Sequence, residues 1–94
     1  MKQRTFNLFS DPSHGWLKVR KKEVEKEGLA DKISSFSYVR GDYLYLEEDC
    51  DAYTFLNSLK KRGIQYKTKI NFSNRSSRIR SYQPYSQPET KKND

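Results

Sequence analysis

Apolar and polar positions alternate along three stretches of the chain, and each predicts a strand. Residues 5–9 alternate weakly and indicate a short strand. In residues 15–20 (GWLKVR), Leu17 and Val19 fall on one side of the strand, and Trp16, Lys18 and Arg20 fall on the other. Residues 64–72 alternate apolar side chains with Gln, Lys and Asn, so the third strand is expected to have a cationic outer side.

An aromatic-rich stretch, residues 35–47 (SFSYVRGDYLYLE), predicts a β-hairpin. A two-residue turn at Arg40-Gly41 places Tyr38 opposite Tyr43. A shift of one residue changes these partners. The aromatic side of the hairpin then holds Phe36, Tyr38, Tyr43 and Tyr45, and the aliphatic side holds Val39, Leu44 and Leu46.

Two stretches predict helices. Residues 21–28 (KKEVEKEG) are strong helix formers and end in Gly28. In residues 49–62, apolar side chains recur at helical spacing, Asp49 is the expected N-cap, and Gly63 follows the last turn. The last turn is basic, as the helix dipole favours.

Together these elements predict a small α+β domain in residues 1–72. With residues 15–20 taken as the first strand proper and residues 5–9 left outside, the order is β-α-β-β-α-β. This is the order of ferredoxin-like two-layer sandwiches, with two helices on one face of an antiparallel sheet. Residues 73–94 contain arginines, tyrosines and prolines but only one aliphatic residue, Ile79. Because so little apolar surface cannot offset the entropy of ordering the segment, we expect a disordered basic tail.

A net charge of +7 indicates a polyanionic partner, and nucleic acid is the commonest. Arginine pairs with phosphate and tyrosine offers a stacking face for unpaired bases, both in the tail and on the helix-free face of the sheet. The alternatives are a solubilising tail and aromatic residues that only pair across strands. The predicted nucleic-acid-binding residues are Arg75, Arg78, Arg80, Tyr82, Tyr85, Lys67, Lys69, Tyr43, Tyr45 and Tyr38.

Several classes of protein are disfavoured by the composition. One cysteine, Cys50, excludes an internal disulfide, and with His14 alone it cannot supply an ordinary zinc site. No apolar run approaches the roughly 18 residues of a membrane span or forms a signal peptide, so we expect a cytoplasmic protein without membrane contact. The acidic residues 47–51 favour helix capping over a divalent-cation or nuclease site. Since no nucleophile–base pair or phosphate loop is present, we expect no enzymatic activity, cofactor or metal.

Two segments, residues 11–19 (DPSHGWLKV) and 45–51 (YLEEDCD), resemble a family of small phage and mobile-element proteins. Members pair an HGWL-type with a YLEED-type segment and often end in a basic tail similar to residues 78–82 (RIRSY). The similarity covers most of residues 11–82. The family has no assigned activity, so the resemblance implies a genomic setting rather than a reaction, and the host cytosol if the protein is phage-encoded. Small phage proteins of this size are often accessory factors that bind nucleic acid or redirect a host polymerase, nuclease or defence complex.

A second resemblance is to AbrB-type swapped-hairpin DNA-binding domains, which dimerise to bind DNA. It lies in residues 17–24 (LKVRKKEV), residues 27–29 (EGL) and Gly41-Asp42. This chain has Arg20 where that pattern usually has proline, and it continues with a helix and a strand that the pattern lacks.

Two functions are therefore expected for a monomer or homodimer. The first is a non-enzymatic accessory protein that binds DNA or RNA. The second is an inhibitor or modulator that binds a host protein complex. Exposure of Trp16 favours the second function and burial weakens it. The predicted protein-contact residues are Trp16, Glu47, Glu48 and Asp51.

Overall fold

The structure is a computed structural model that describes residues 4–88. Six strands form one mixed sheet in the order β5-β1-β2-β4-β3-β6, accompanied by two α-helices and one short 3₁₀ helix. The elements are β1 (Arg4–Ser10), β2 (Gly15–Arg20), α1 (Lys21–Lys26), β3 (Tyr38–Arg40), β4 (Tyr43–Glu47), α2 (Asp51–Lys61), β5 (Tyr66–Phe72), the 3₁₀ helix (Arg78–Ser81) and β6 (Gln83–Pro84).

The predicted α+β class is confirmed, but the ferredoxin-like order with an antiparallel sheet is wrong. β1, which the prediction left outside that order, lies between β2 and β5. β5 runs parallel to β1, with Ile70 opposite Leu8, so the sheet is mixed. β1 holds this inner position because Phe6 is buried and packs edge-on against Phe55 of α2, with 5.5 Å between ring centroids.

The predicted hairpin exists, but its turn lies one residue later than predicted, so the cross-strand partners shift by two residues. Its turn is Gly41-Asp42, so Arg40 lies opposite Tyr43 and Tyr38 lies opposite Tyr45. Gly41 has a φ of +59°, a left-handed conformation that favours glycine at the first position of a two-residue turn. The predicted separation of aliphatic and aromatic sides holds, except that Phe36 precedes β3 and is exposed.

α1 and α2 pack on one side of the sheet, which we call the helix face. Val24 of α1 and Phe55 and Leu59 of α2 are buried there against strand residues such as Leu17 and Leu44. α2 begins at Asp51 without a side-chain cap, so the predicted N-cap role of Asp49 is wrong.

The opposite side of the sheet, which we call the tail face, is partly covered by the first part of the C-terminal segment, residues 73–88, whose end passes the β3 edge so that Tyr85 reaches the helix face. Ile79 of this segment is buried against Trp16 and Tyr45, and β6 pairs with β3. In the structure residues 73–88 pack on the sheet, where the sequence predicted a disordered tail, and burial of Ile79 together with polar anchors opposes the entropy cost of ordering the segment. Residues 89–94 of the predicted tail lie outside the described residues.

Candidate nucleic-acid interface

Asp11, in the turn between β1 and β2, anchors the C-terminal segment to the sheet. Its buried carboxylate accepts hydrogen bonds from Nε and Nη2 of Arg80, at 2.8 and 3.0 Å, and from the backbone N–H of Ser77, at 2.9 Å. The backbone N–H groups of Ser13 and His14 also donate to it. The Arg80 guanidinium, followed by the Ser77 N–H, holds the pKa of Asp11 well below its usual range. Asp11 is thus a charged acceptor that fixes the path of the segment.

Arg80 consequently has a structural position rather than the free position that a phosphate contact needs. Besides its pair with Asp11, its guanidinium lies over the Trp16 ring, 5.3 Å from the centroid. The hydrogen bonds with Asp11 raise the pKa of Arg80. All three predicted phosphate-binding arginines are exposed, but only Arg75 and Arg78 have no ion pair within residues 4–88.

Two predicted stacking residues are buried. Tyr85 lies in the helix-face core, where its hydroxyl donates to the Ala30 carbonyl, and burial raises its pKa. Tyr45 packs against Tyr82 with 5.1 Å between ring centroids, and burial raises its pKa as well. Neither ring is available to a base, whereas the Tyr38, Tyr43 and Tyr82 side chains are half-buried on the tail face.

The strand register gathers lysines on the tail face. Lys69 of β5 lies opposite Asn7 of β1, which lies opposite Lys18 of β2. Lys67, two residues before Lys69, lies on the same side of β5, opposite Thr5. The three lysines therefore project from one surface although about fifty residues separate them in sequence.

Two arginines and a tyrosine extend this row of charge across the neighbouring strands. Arg20 lies opposite Tyr43, which lies opposite Arg40. The Tyr43 ring has Lys18 Nζ at 4.3 Å from its centroid and the Arg20 guanidinium at 5.2 Å. Because the negative face of an aromatic ring attracts cations, Tyr43 orients both side chains. Arg40 lies over the Tyr82 ring in the same way, at 5.0 Å.

The C-terminal segment supplies the remaining cations. Arg75 and Arg78 line a cleft of about 580 Å³ between the segment and the tail face, together with Lys18, Tyr45 and Tyr82. We call the seven cations of this side the cationic surface: Lys18, Arg20, Arg40, Lys67, Lys69, Arg75 and Arg78.

None of these seven side chains is neutralised within residues 4–88. The ion pairs of the described residues are Arg4–Glu23, Arg62–Glu27 and Arg80–Asp11. In each of these ion pairs, the arginine that binds the carboxylate is not part of the cationic surface. A dense set of unpaired cations on one face attracts a polyanion more strongly than the same charges distributed evenly.

Sequence reasoning missed three members of the surface, Lys18, Arg20 and Arg40. The alternation of residues 15–20 already placed Lys18 and Arg20 on the side away from the core. The sequence did not reveal the strand order, in which β1 lies between β2 and β5 and brings their lysines onto one surface.

The predicted protein-contact residues differ in exposure, although Trp16 lies directly opposite Glu47 in the sheet. Trp16 is only 2% exposed. Asp51 is buried as well, where it accepts hydrogen bonds from the Ser34 hydroxyl at 2.7 Å and the Ser37 hydroxyl at 2.5 Å. Glu47 is half-buried and Glu48 is exposed. Burial of Trp16 is the outcome that weakens a contact surface centred on this residue.

Glu48 and Gly15 fit closely together within the HGWL and YLEED segments. The N–H of Glu48 donates to the Gly15 carbonyl at 2.9 Å, and a Cβ at position 15 would meet the Glu48 carboxylate at 2.6 Å. A side chain at position 15 would make the exposed Glu48 carboxylate move away, so glycine lets the two segments fit together without a shift. The two segments therefore form one structural unit.

The acidic stretch at the start of α2 does not form a cation site in the described part of the chain. No three His, Cys, Asp or Glu side chains of residues 4–88 come together in a way that suits a metal ion. The Asp51 carboxylate raises the pKa of the Cys50 thiol, which disfavours a reactive thiolate. No helix among residues 4–88 has the length and apolar character needed to cross a membrane.

Comparison with known protein families, with curated proteins and with solved structures finds no match to this chain. The two resemblances given under Sequence analysis therefore stay predictions.

Proposed function

We propose that the protein is a small non-enzymatic accessory protein that binds nucleic acid across the tail face. The observation that carries this proposal is the cationic surface: seven cations from three strands (β2, β3 and β5) and the C-terminal segment, without an ion pair within residues 4–88, on one side of the molecule. Phosphate contacts of this kind dominate the affinity of proteins for nucleic acid, because each releases condensed counterions.

Single strands are the expected form. The Tyr43 and Tyr82 rings lie among the cations and are half-buried. An aromatic ring stacks on a base only when the base has left its duplex partner, whereas phosphate contacts serve either form. A nucleic-acid base that stacks on Tyr43 or Tyr82 takes the place of Lys18 or Arg40 on that ring. The phosphates next to the base then lie beside the displaced cation.

The proposal predicts a steep salt dependence. If all seven cations contact phosphate, the slope of log K against log salt is about −5 for a single strand and about −6 for duplex DNA. Fewer contacts give a proportionally smaller slope, so the slope counts the contacts.

Charge-matched variants test the location of the surface. Lys67→Gln/Lys69→Gln removes two cations from the tail face, and Lys60→Gln/Lys61→Gln removes two from the last turn of α2. Both variants change the net charge equally. Fluorescence anisotropy of a labelled single strand at several salt concentrations gives each slope.

We expect the first variant to reduce the magnitude of the slope by about 1.4 and the second to leave it unchanged. Equal effects of the two variants would show that only net charge matters and would contradict the assignment to the tail face. Tyr43→Leu should weaken binding of single strands more than binding of duplex, since stacking is lost and phosphate contacts remain.

A further inference from the structure

The outer edge of β5 is the long open edge of the sheet. β5 ends the strand order on one side, and within residues 4–88 no strand pairs with its outer edge. The other end of the sheet is β6, which has two residues and includes Pro84. Short edges and prolines protect a sheet from further pairing, and β5, with seven residues and no proline, has neither protection.

Two hydrogen bonds, one at each end of the β1–β5 ladder, determine which backbone groups of β5 are free. The Arg4 N–H donates to the Gln65 carbonyl at 3.1 Å, and the Ser73 N–H donates to the Ser10 carbonyl at 2.8 Å. In a parallel ladder, alternate residues of a strand bond to the same neighbour, so the odd-numbered residues of β5 bond to β1. The N–H and C=O groups of the even-numbered residues, including Ile70, therefore point to the open edge.

The side chains of β5 have two distinct characters. Ile70 and Phe72 are on the helix face, yet they are 65% and 66% exposed because the helices do not extend over this end of the sheet. Lys67 and Lys69 are on the tail face. A strand added to this edge meets apolar side chains on one face and ammonium groups on the other.

We propose that the outer edge of β5 binds an extended peptide segment that alternates acidic and apolar residues. Backbone groups of Thr68, Ile70 and Phe72 provide the ladder, and β-strand addition is an established mode of peptide recognition. The apolar residues of the partner cover Ile70 and Phe72, and its carboxylates lie beside Lys67 and Lys69.

Charge decides between this occupant and a second copy of the chain. A second copy brings another net charge of +7 and its own two lysines to the same edge. An acidic segment instead places opposite charges side by side across the strands, which stabilises a sheet. The edge is separate from the proposed nucleic-acid rings Tyr43 and Tyr82, although Lys67 and Lys69 border both sites.

The probe is a labelled seven-residue peptide, EVEIEVE, capped at both ends and matched to the length of β5. Its control has the same composition in the order EEEEVIV, which keeps the charge and destroys the alternation. Fluorescence anisotropy with the full chain should show that the alternating peptide binds about tenfold more tightly than the control. Equal affinities would reduce the interaction to non-specific charge and overturn the proposal.

Variants of the edge separate backbone pairing from charge. Ile70→Pro removes an outward N–H without removing a bond to β1, and Ile70→Lys keeps the backbone and removes the apolar contact. Each should weaken the alternating peptide about tenfold while nucleic-acid binding is kept. Unchanged peptide affinity in both variants would contradict the proposal, and far-UV circular dichroism confirms that each variant is folded.

A charge reversal provides the last arm. The Lys67→Glu/Lys69→Glu variant should bind KVKIKVK more tightly than EVEIEVE. The Lys60→Glu/Lys61→Glu variant has the same net charge and should still bind EVEIEVE more tightly. The same preference in both variants would overturn the placement at β5. Dimerisation of the wild-type chain that Ile70→Pro abolishes would show that a second copy, not an acidic peptide, occupies the edge.

Discussion

Replacing Ile79 by alanine tests whether the C-terminal segment is folded onto the sheet. Ile79 is 4% exposed and packs against Trp16 and Tyr45. The substitution removes three carbon groups, which at about 0.8 kcal/mol each costs about 2.4 kcal/mol before any cavity forms. Measured isoleucine-to-alanine changes in cores reach about 5 kcal/mol, because the space often stays unfilled. The attached state of the segment therefore loses at least roughly 60-fold in population relative to the detached state.

Fluorescence of the single tryptophan reports this change. Trp16 is buried beneath the segment, so detachment exposes its ring to water and to an added quencher. We expect Ile79→Ala to shift the emission to longer wavelength and to increase quenching by iodide. Ile70→Ala is the matched control, since the same chemical change at a mostly exposed position costs only about 0.8 kcal/mol. Unchanged quenching in Ile79→Ala, or an equal increase in Ile70→Ala, would refute the packing of the segment on Trp16.

Three further predictions concern polar groups. The pKa of Asp11 is lower in the folded state than in the unfolded chain, so its contribution is present above about pH 4 and is lost on acidification; Trp16 emission should shift in wild type below that pH and show no such transition in Asp11→Asn. Tyr85→Phe removes the hydrogen bond to the Ala30 carbonyl and should lower the free energy of unfolding by about 1 kcal/mol, measured by urea denaturation. Asp51→Ala leaves two serine hydroxyls without their acceptor and should cost about 3 kcal/mol in the same assay, whereas an effect below that of Tyr85→Phe would contradict its role in the core.

Local patterns predicted the elements of the fold well where the signal was short-range. The alternation of residues 64–72, the apolar stripe of residues 49–62 and the hairpin of residues 35–47 each correspond to an element of the structure. The helix stops Gly28 and Gly63 both have a φ of +73°. These features depend on residues that are close in sequence. The spacing of apolar residues and the residue types at turns therefore predict them directly.

Long-range pairing was not predictable in the same way. Nothing in the weak alternation of residues 5–9 indicates that β1 lies between β2 and β5, because this position depends on packing against α2. The attachment of the C-terminal segment to the sheet depends on the contact between Arg80 and Asp11, which are 69 residues apart in sequence. Composition alone assigned Arg80 to the phosphate-binding set, and only the fold shows that its charge is already paired.

The candidate site was predicted only in part, because some of its features depend on residue type and alternation and others on long-range packing. The exposed cations Lys67, Lys69, Arg75 and Arg78 follow from residue type and alternation, and the structure places all four on one side. Whether a tyrosine is open to a base depends on what covers it, and Tyr85 is buried by residues that are distant in sequence.

The most direct test of nucleic-acid binding is an anisotropy titration of the wild-type chain against labelled single-stranded DNA, RNA and duplex DNA at low and moderate salt. The cationic surface predicts binding at low salt that weakens steeply with added salt, with single strands bound more tightly than duplex. Absence of binding to all three at low salt would contradict the account.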